Sequence, residues 1–268
     1  MPHRERLDMQ RAELENLLEF AVRIAQAAGE VTLRYFQRAT AERKSDGSFV
    51  TAADREAERL LRERIEERFP QDAILGEEEG ARAGSSDRCW VIDPLDGTFS
   101  FVHGVPLYGT LIALEVEEEP ILGAVHLPAL GETVYAARGI GCFWNGARCQ
   151  VSNVSRLEEA LLLATDFGTC ERYGFGRAAE ALQHRAQARR TWGDCYGHIL
   201  VATGRAEIML DPVMNHWDCA ALLPILEEAG GTFTDWRGTK TARGGNAIST
   251  NGALFEDVMK IIGSAPQI

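Results

Sequence analysis

Acidic residues gather in this chain where local structure gives them no evident task. Asp93 and Asp96 stand in the run Asp93-Pro94-Leu95-Asp96-Gly97-Thr98, Glu77-Glu78-Glu79 follows Leu75-Gly76, and Asp218 opens a helical stretch. Hard divalent cations such as Mg²⁺ take carboxylate and carbonyl oxygens and keep several waters for exchange. A loop carrying Asp93, Asp96 and the Leu95 carbonyl offers such oxygens at close quarters. Behind it, Gly97 and Thr98 are small enough for their backbone amides to meet a phosphate, provided a helix begins there. Each residue also has a plainer reading. Asp93 before proline and Asp96-Gly97 are turn chemistry, Asp218 is an N-cap, Asp54 closes a capping box with Thr51, and the glutamates are a solvated run. Their joint presence follows from none of these, and it favours a metal site.

Competing chemistries find little support. The histidines show no H-E-x-x-H or paired spacing suited to zinc. Neither a P-loop nor a G-x-S-x-G elbow occurs. Cys195 and Cys219 have no basic neighbour that would favour a thiolate, so they read as inert buried thiols.

The elements that must position the carboxylates follow from periodicity. Apolar residues at Leu14, Leu17, Leu18, Ala21, Ile24, Ala25 and Ala28 predict an amphipathic helix over 14–36. After the loop Lys44-Ser45-Asp46-Gly47-Ser48, the Thr51/Asp54 capping box predicts a second helix running to Pro70. Cys89-Trp90-Val91-Ile92 reads as a buried strand ending at Asp93-Pro94. Strands over 109–116, 121–126, 133–137 and 142–144 predict a mostly antiparallel sheet. Beyond about Val151 the pattern turns α/β: a strand over 160–165, helices near 177–189 and 196–203, and a strand over 206–210. The last clear helix runs over 217–228 to Gly230-Gly231, with a kink expected at Pro224. The chain thus divides into an α+β half, 1–150, and an α/β half, 151–268, sharing one cleft.

Composition narrows the partners. With 268 residues, 45% of them hydrophobic, the chain can bury a sizeable core. A net charge of −12 argues against nucleic acid or an anionic membrane surface as partner, because both call for a positive field. The six cysteines include no C-x-x-C pair and are too sparse for a disulfide framework, which suits a reducing cytoplasm. No apolar run is long enough to cross a bilayer, and the charged N-terminal segment lacks a signal region.

Taken in order, Lys44-Ser45, Val50-Thr51-Ala-Ala-Asp54, Gly76-Glu77-Glu78, Trp90-Val-Ile-Asp-Pro-Leu-Asp-Gly-Thr98 and Trp217-Asp218-x-Ala-Ala221 resemble the inositol monophosphatase family. The likeness spans almost the whole chain. It implies an α+β fold, the layered α/β/α/β/α sandwich of sugar phosphatases, and hydrolysis of a small-molecule phosphate ester with about two to three Mg²⁺ ions. By the same likeness Glu77, Asp93 and the Leu95 carbonyl would hold a first metal, and Asp93, Asp96 and Asp218 a second. Glu77 would hold a weaker third with waters. Thr98, paired with Asp54, would orient a water for in-line attack on phosphorus. The amides of Gly97 and Thr98 would cradle the phosphate, and a homodimer is expected.

Within that family, Trp192-Gly-Asp-Cys-Tyr-Gly-His198, Ala202-Thr-Gly-Arg-Ala206, Asp211-Pro212 and Asn215-His-Trp-Asp218 look like the branch acting on histidinol phosphate. A carboxylate at Asp194, where polyol phosphatases keep a small apolar residue, would suit a cationic substrate, with Asp211 as its companion. Asp194 has a second reading, as the cap of a helix beginning near Cys195. An inositol or broad sugar phosphatase, or a protein-binding regulator of the same fold, are the alternatives. Phe49 and Phe99-Ser100 depart from the family pattern.

Overall fold

A computed structural model describes residues 3–44 and 47–264; Ser45 and Asp46 of the expected loop lie outside them. Helix α1 (His3–Tyr35) buries Leu17, Leu18, Ala21, Ile24, Ala25 and Ala28 along one stripe. It starts well before the expected position 14, because the preceding residues are mostly strong helix formers that need no apolar stripe. The short hairpin of β1 (Glu42–Arg43) and β2 (Phe49–Val50) leads into α2 (Ala52–Arg68). Thr51 caps α2 as expected, with the Asp54 carboxylate accepting from the Thr51 N–H at 2.8 Å.

Next come β3 (Ala73–Gly76), β4 (Gly80–Arg82), β5 (Arg88–Asp96), α3 (Thr98–Val102) and β6 (Gly109–Val116). The meander β7 (Glu119–Leu127), β8 (Glu132–Ala137), β9 (Gly141–Trp144) and β10 (Ala147–Arg148) completes an eight-stranded sheet in the order β10-β9-β8-β7-β6-β5-β3-β4. Every neighbouring pair is antiparallel except β3 and β5. The strand expected to end at Asp93-Pro94 continues to Asp96, because Pro94 falls at an irregularity where its missing N–H breaks no ladder bond.

The remaining chain gives β11 (Leu161–Ala164), α4 (Phe167–Arg172), α5 (Gly176–Arg185), β12 (Ala188–Arg190), α6 (Asp194–Ala202), β13 (Ile208–Asp211), α7 (His216–Ala220), α8 (Leu222–Glu228), β14 (Thr232–Thr234), β15 (Ala247–Thr250) and α9 (Phe255–Ser264). The five strands form a second sheet, ordered β12-β11-β13-β15-β14. Three expectations need correction. The helix expected over 177–189 stops at Arg185, and Ala188–Arg190 is an exposed, arginine-rich edge strand parallel to β11 that no apolar pattern marks. The helix expected over 217–228 is two helices meeting at Ala221: Pro224 cannot donate to the Ala220 carbonyl and its ring crowds that group, so the break falls one turn before the proline. Nor is it the last helix, since α9 follows and buries Val258 and Ile262.

Burial explains the layering. Leu61 and Ile65 of α2 join the α1 stripe against Trp90, Ile92, Ile112 and Leu114 on one face of the large sheet. Val91, Leu111, Ala113 and Val125 on the opposite face meet α6 and α8 through Ile199, Leu222 and Ile225. Those helices rest in turn on Leu163, Met209 and Phe233 of the second sheet. Its far face packs Leu162, Ile208 and Ile248 against Leu182 of α5 and Val258 of α9. Helices, sheet, helices, sheet, helices: the order is the expected α/β/α/β/α sandwich. Because β5 is covered on both faces, its apolar run is continuous rather than alternating.

Candidate metal and phosphate site

Asp93 and Asp96 would point to opposite faces of a regular strand, since side chains alternate with period two. In β5 the register slips between them: Asp93 pairs with Leu111 and Asp96 with Gly109, so three steps on β5 match two on β6. The extra residue is a β-bulge, and it turns both carboxylates the same way. The Asp93 Oδ1 accepts from the Leu95 N–H at 2.9 Å, and Thr110 Oγ1 donates to the Pro94 carbonyl at 2.9 Å, fixing the bulge from within and from β6. Gly97 then adopts φ +83°, and a Cβ there would lie 3.0 Å from the Leu107 carbonyl oxygen, so glycine reverses the chain into α3. A helix does begin at Thr98, as the phosphate reading requires.

Asp218 reaches the same point from the second half. It is not an N-cap: Asn215 caps α7, and the Asp218 Oδ2 accepts from the Asn215 N–H at 2.6 Å. Ligand oxygens of Asp93, Asp96 and Asp218 lie within 4.8 Å of one another. Burial, the Glu77 charge and its two triad neighbours push the Asp93 carboxyl well above the usual carboxylate range. Burial and the Asp218 charge raise Asp96 to about 7, and burial with the Glu77 and Asp211 charges raises Asp218 to about 7. One buried and two half-buried carboxylates that repel one another suit a hard divalent cation, whose charge would relieve that repulsion.

Glu77 stands beside the triad rather than within it. Gly76 pairs with Ile92 across the parallel β3 and β5, which sets Glu77 level with Asp93 at the strand ends. Its carboxylate meets Lys44 Nζ at 2.8 Å, and the same ammonium bonds Glu78 at 2.5 Å. The turn carrying Glu77 is held from below: the buried Glu58 carboxylate accepts the N–H groups of Glu78 and Glu79 at 2.8 and 2.9 Å. Glu58 escapes sequence reading because it looks like one more polar residue of α2. Across the site, Thr98 Oγ1 lies 3.0 Å from the Leu95 carbonyl and 3.3 Å from Asp54 Oδ1. Asp54 is buried, and burial raises its carboxyl against the Thr51 bonds that oppose it.

Asp194 and Asp211 close the opposite side. Gly193, not Asp194, caps α6, and no side chain makes a capping bond there. The capping reading of Asp194 is therefore set aside. Its Oδ2 lies 3.2 Å from where a Cβ on Gly97 would be, and the nearby Ser100 side chain favours its ionised form. Burial and the charges of Asp96 and Asp211 raise the Asp194 carboxyl well above the usual range. The next amide, Cys195 N–H, donates to Asp96 Oδ2 at 2.6 Å, tying α6 to the carboxylate triad. Asp211 ends β13 and accepts from Thr165 Oγ1 at 2.8 Å. Sequence reading passed over Thr165, which no local pattern singles out. The two departures noted above touch each other: the Phe49 and Phe99 rings sit 6.0 Å apart, and His103 stacks on Phe99 at 4.3 Å. All six cysteines are free, and burial pushes the Cys195 and Cys219 thiols well up, so neither serves as a nucleophile.

The model of the inositol monophosphatase family matches residues 13–266. The chain belongs to that family. A histidinol-phosphatase of Chlorobaculum parvum is 44% identical over 250 residues, covering 92% of this chain and 96% of the relative. A fructose-1,6-bisphosphatase/inositol-1-monophosphatase of Thermotoga maritima is 36% identical, covering 91% and 95%. Among solved structures, an IMPase of Thermotoga maritima superposes with a TM-score of 0.84 at 33% identity, covering 92% of this chain and 97% of that one. As an inositol monophosphatase family member the chain is a phosphoric monoester hydrolase with the layered sandwich of that family, and metal dependence is typical of such enzymes. Among the described residues no helix is long and apolar enough to cross a membrane.

Proposed function

We propose that the enzyme hydrolyses L-histidinol phosphate to L-histidinol and phosphate in the cytoplasm, as a homodimer using two to three Mg²⁺ ions. The observation that carries the substrate is Asp194: a carboxylate beside Gly97 and Asp96 that lies outside the Asp93, Asp96 and Asp218 group. A primary ammonium would favour the ionised form of that half-buried carboxyl, whereas a neutral polyol would leave its charge without a counter-ion. The relatives named histidinol-phosphatase support the same reading.

Asp93, Asp96, Asp218 and the Leu95 carbonyl would hold the metal, with Glu77 adjoining. Mg²⁺ bound there supplies neutralisation of the phosphate charge and a lowered pKa for its water. The protein's own part is orientation. Thr98, between Leu95 and Asp54, aims the attacking water at phosphorus, and the amides of Gly97 and Thr98 hold the phosphate oxygens. Water forms the new O–P bond as the ester O–P bond breaks, and the alcohol leaves with a proton. In this division 1–150 contributes most metal ligands and 151–268 contributes Asp194, Asp211 and Asp218.

Phosphate release from L-histidinol phosphate, inositol 1-phosphate and fructose 1,6-bisphosphate with Mg²⁺ tests the substrate, and the first should have the highest kcat/KM. Asp194→Ala should lower kcat/KM on L-histidinol phosphate by about thirtyfold more than on inositol 1-phosphate. Equal losses on both esters would remove the ammonium site and favour a broad sugar phosphatase.

A further inference from the structure

Asp194 holds a backbone conformation that a side chain seldom adopts, φ +52°, at the entry to α6. Such a conformation costs about 1 kcal/mol or more for a non-glycine residue and persists only where its surroundings impose it. The surroundings here are specific. The Asp194 N–H donates to Thr165 Oγ1 at 2.9 Å, and that hydroxyl donates its single proton to Asp211 Oδ2 at 2.8 Å. The hydroxyl has one proton, and by giving it to Asp211 Oδ2 it leaves its lone pairs to the Asp194 amide. Asp211 is itself buried, its carbonyl accepts from Trp236 Nε1 at 3.0 Å, and it lies in the four-residue strand β13.

The preceding residue shows how close the approach is. A Cβ on Gly193 would lie 2.3 Å from the Thr165 Cα, so the Gly193-Asp194 turn rests directly on the end of β11. The following amide, on Cys195, is taken by Asp96. Two consecutive N–H groups are thus pinned in different directions, one toward the second sheet and one toward the carboxylate triad. The Asp194 side chain is left facing Gly97 and Ser100.

We infer that Thr165 and Asp211 are positioning residues: together they lock Asp194 in its left-handed conformation and so aim its carboxylate at the ammonium group of the substrate. The inference rests on the proposed role of Asp194 and deepens it. It also assigns Asp211 an indirect part, acting through Thr165 rather than on the substrate. Specificity for a cationic phosphate ester then depends on a hydroxyl that touches no substrate atom.

Thr165→Val removes the hydroxyl at nearly constant volume, and Thr165→Ser restores it. With Mg²⁺ present, Thr165→Val should raise KM for L-histidinol phosphate about tenfold, change kcat by less than about threefold, and lower kcat/KM on inositol 1-phosphate several-fold less. Thr165→Ser should recover most of the loss. In the Asp194→Ala background Thr165→Val should add almost nothing, because both changes remove one coupled device. A crystal structure of Thr165→Val should show the Asp194 φ displaced from the left-handed region. An unchanged φ, or losses that add fully in the double variant, would overturn the positioning role. The underlying reading fails separately: if Asp194→Ala affects both esters alike, the ammonium site is wrong, while the crystal structure still judges whether Thr165 sets the turn. Should Thr165→Val not fold, Asp211→Ala, which removes the acceptor of the Thr165 hydroxyl, carries the same comparison of esters and of φ.

Discussion

The two sides of the cleft are built on different principles. On the first side Asp93, Leu95, Asp96 and Thr98 come from one strand, one bulge and one helix start, with Glu77 in the turn that follows the adjoining parallel strand. Their placement is set by backbone ladders of a sheet buried on both faces. On the second side Asp194, Asp211 and Asp218 come from three separate segments, at the starts of α6 and α7 and the end of β13. Their placement depends on individual side-chain bonds, from Thr165 to Asp211 and from the Asn215 amide to Asp218. A contiguous, ladder-held wall suits chemistry that must be exact to a fraction of an ångström. A wall of separable parts can change its preferences one residue at a time.

The sharpest way to break this contrast is Asp93→Asn. Asp93 is buried in the first wall, and Asp93→Asn removes one carboxylate of the proposed metal cluster. Phosphate release should fall by about 10³-fold or more on every ester tested. The chain should stay folded by circular dichroism, because the change also removes one of three mutually repelling charges. Substantial turnover in this variant would show that the first wall is not the seat of the chemistry.

Metal removal gives a second, smaller effect, and its sign can be worked out. In the folded metal-free chain Asp96 and Asp218 keep their protons up to about 7, against an ordinary value of 3.8. The folded state therefore binds more protons than the unfolded state between those limits. Stability from this site is fully present at low pH and is lost as pH rises through about 7. Mg²⁺ competes with those protons, so the gap in Tm between Mg²⁺ and EDTA samples should widen from about pH 5 to about pH 8. A gap that stays constant or narrows would mean that the carboxylate triad does not take the metal.

How much of this was legible in the amino-acid order follows the same division. The capping box at Thr51 and Asp54 and the strand entering Asp93 are local patterns, and both stand where the residue types predict, whereas the helix start at Thr98 was only a condition of the phosphate reading, which the structure meets. The bulge that turns Asp93 and Asp96 together was not foreseen, because it exists only in the pairing of β5 with β6. Glu58 and Thr165 were missed for a similar reason: each acts on a backbone amide 20 or more residues away, and nothing beside them in the chain marks that task. Edge strand β12 was missed because a solvent-facing strand carries arginines instead of an apolar alternation. Local chemistry is written in short runs, whereas support is written in contacts.

The smallest predicted effect separates the two kinds of support by making one chemical change on each wall. Thr110, fully buried on β6, holds the Pro94 carbonyl by donating to it, as Thr165 holds the Asp194 amide by accepting from it. Thr110→Val leaves the Pro94 carbonyl without that donor and should cost about 1–2 kcal/mol. For a chain of this size that lowers Tm by roughly 2–4 °C per kcal/mol, readable by calorimetry. Because Pro94 lies between the two bulge carboxylates of the proposed metal site, any loss of turnover should fall equally on L-histidinol phosphate and on inositol 1-phosphate. Thr165→Val should instead shift the ratio between them. If Thr110→Val moved that ratio as far, support on the first wall would also be setting specificity, and the separation of chemistry from selectivity between the two sides would not hold.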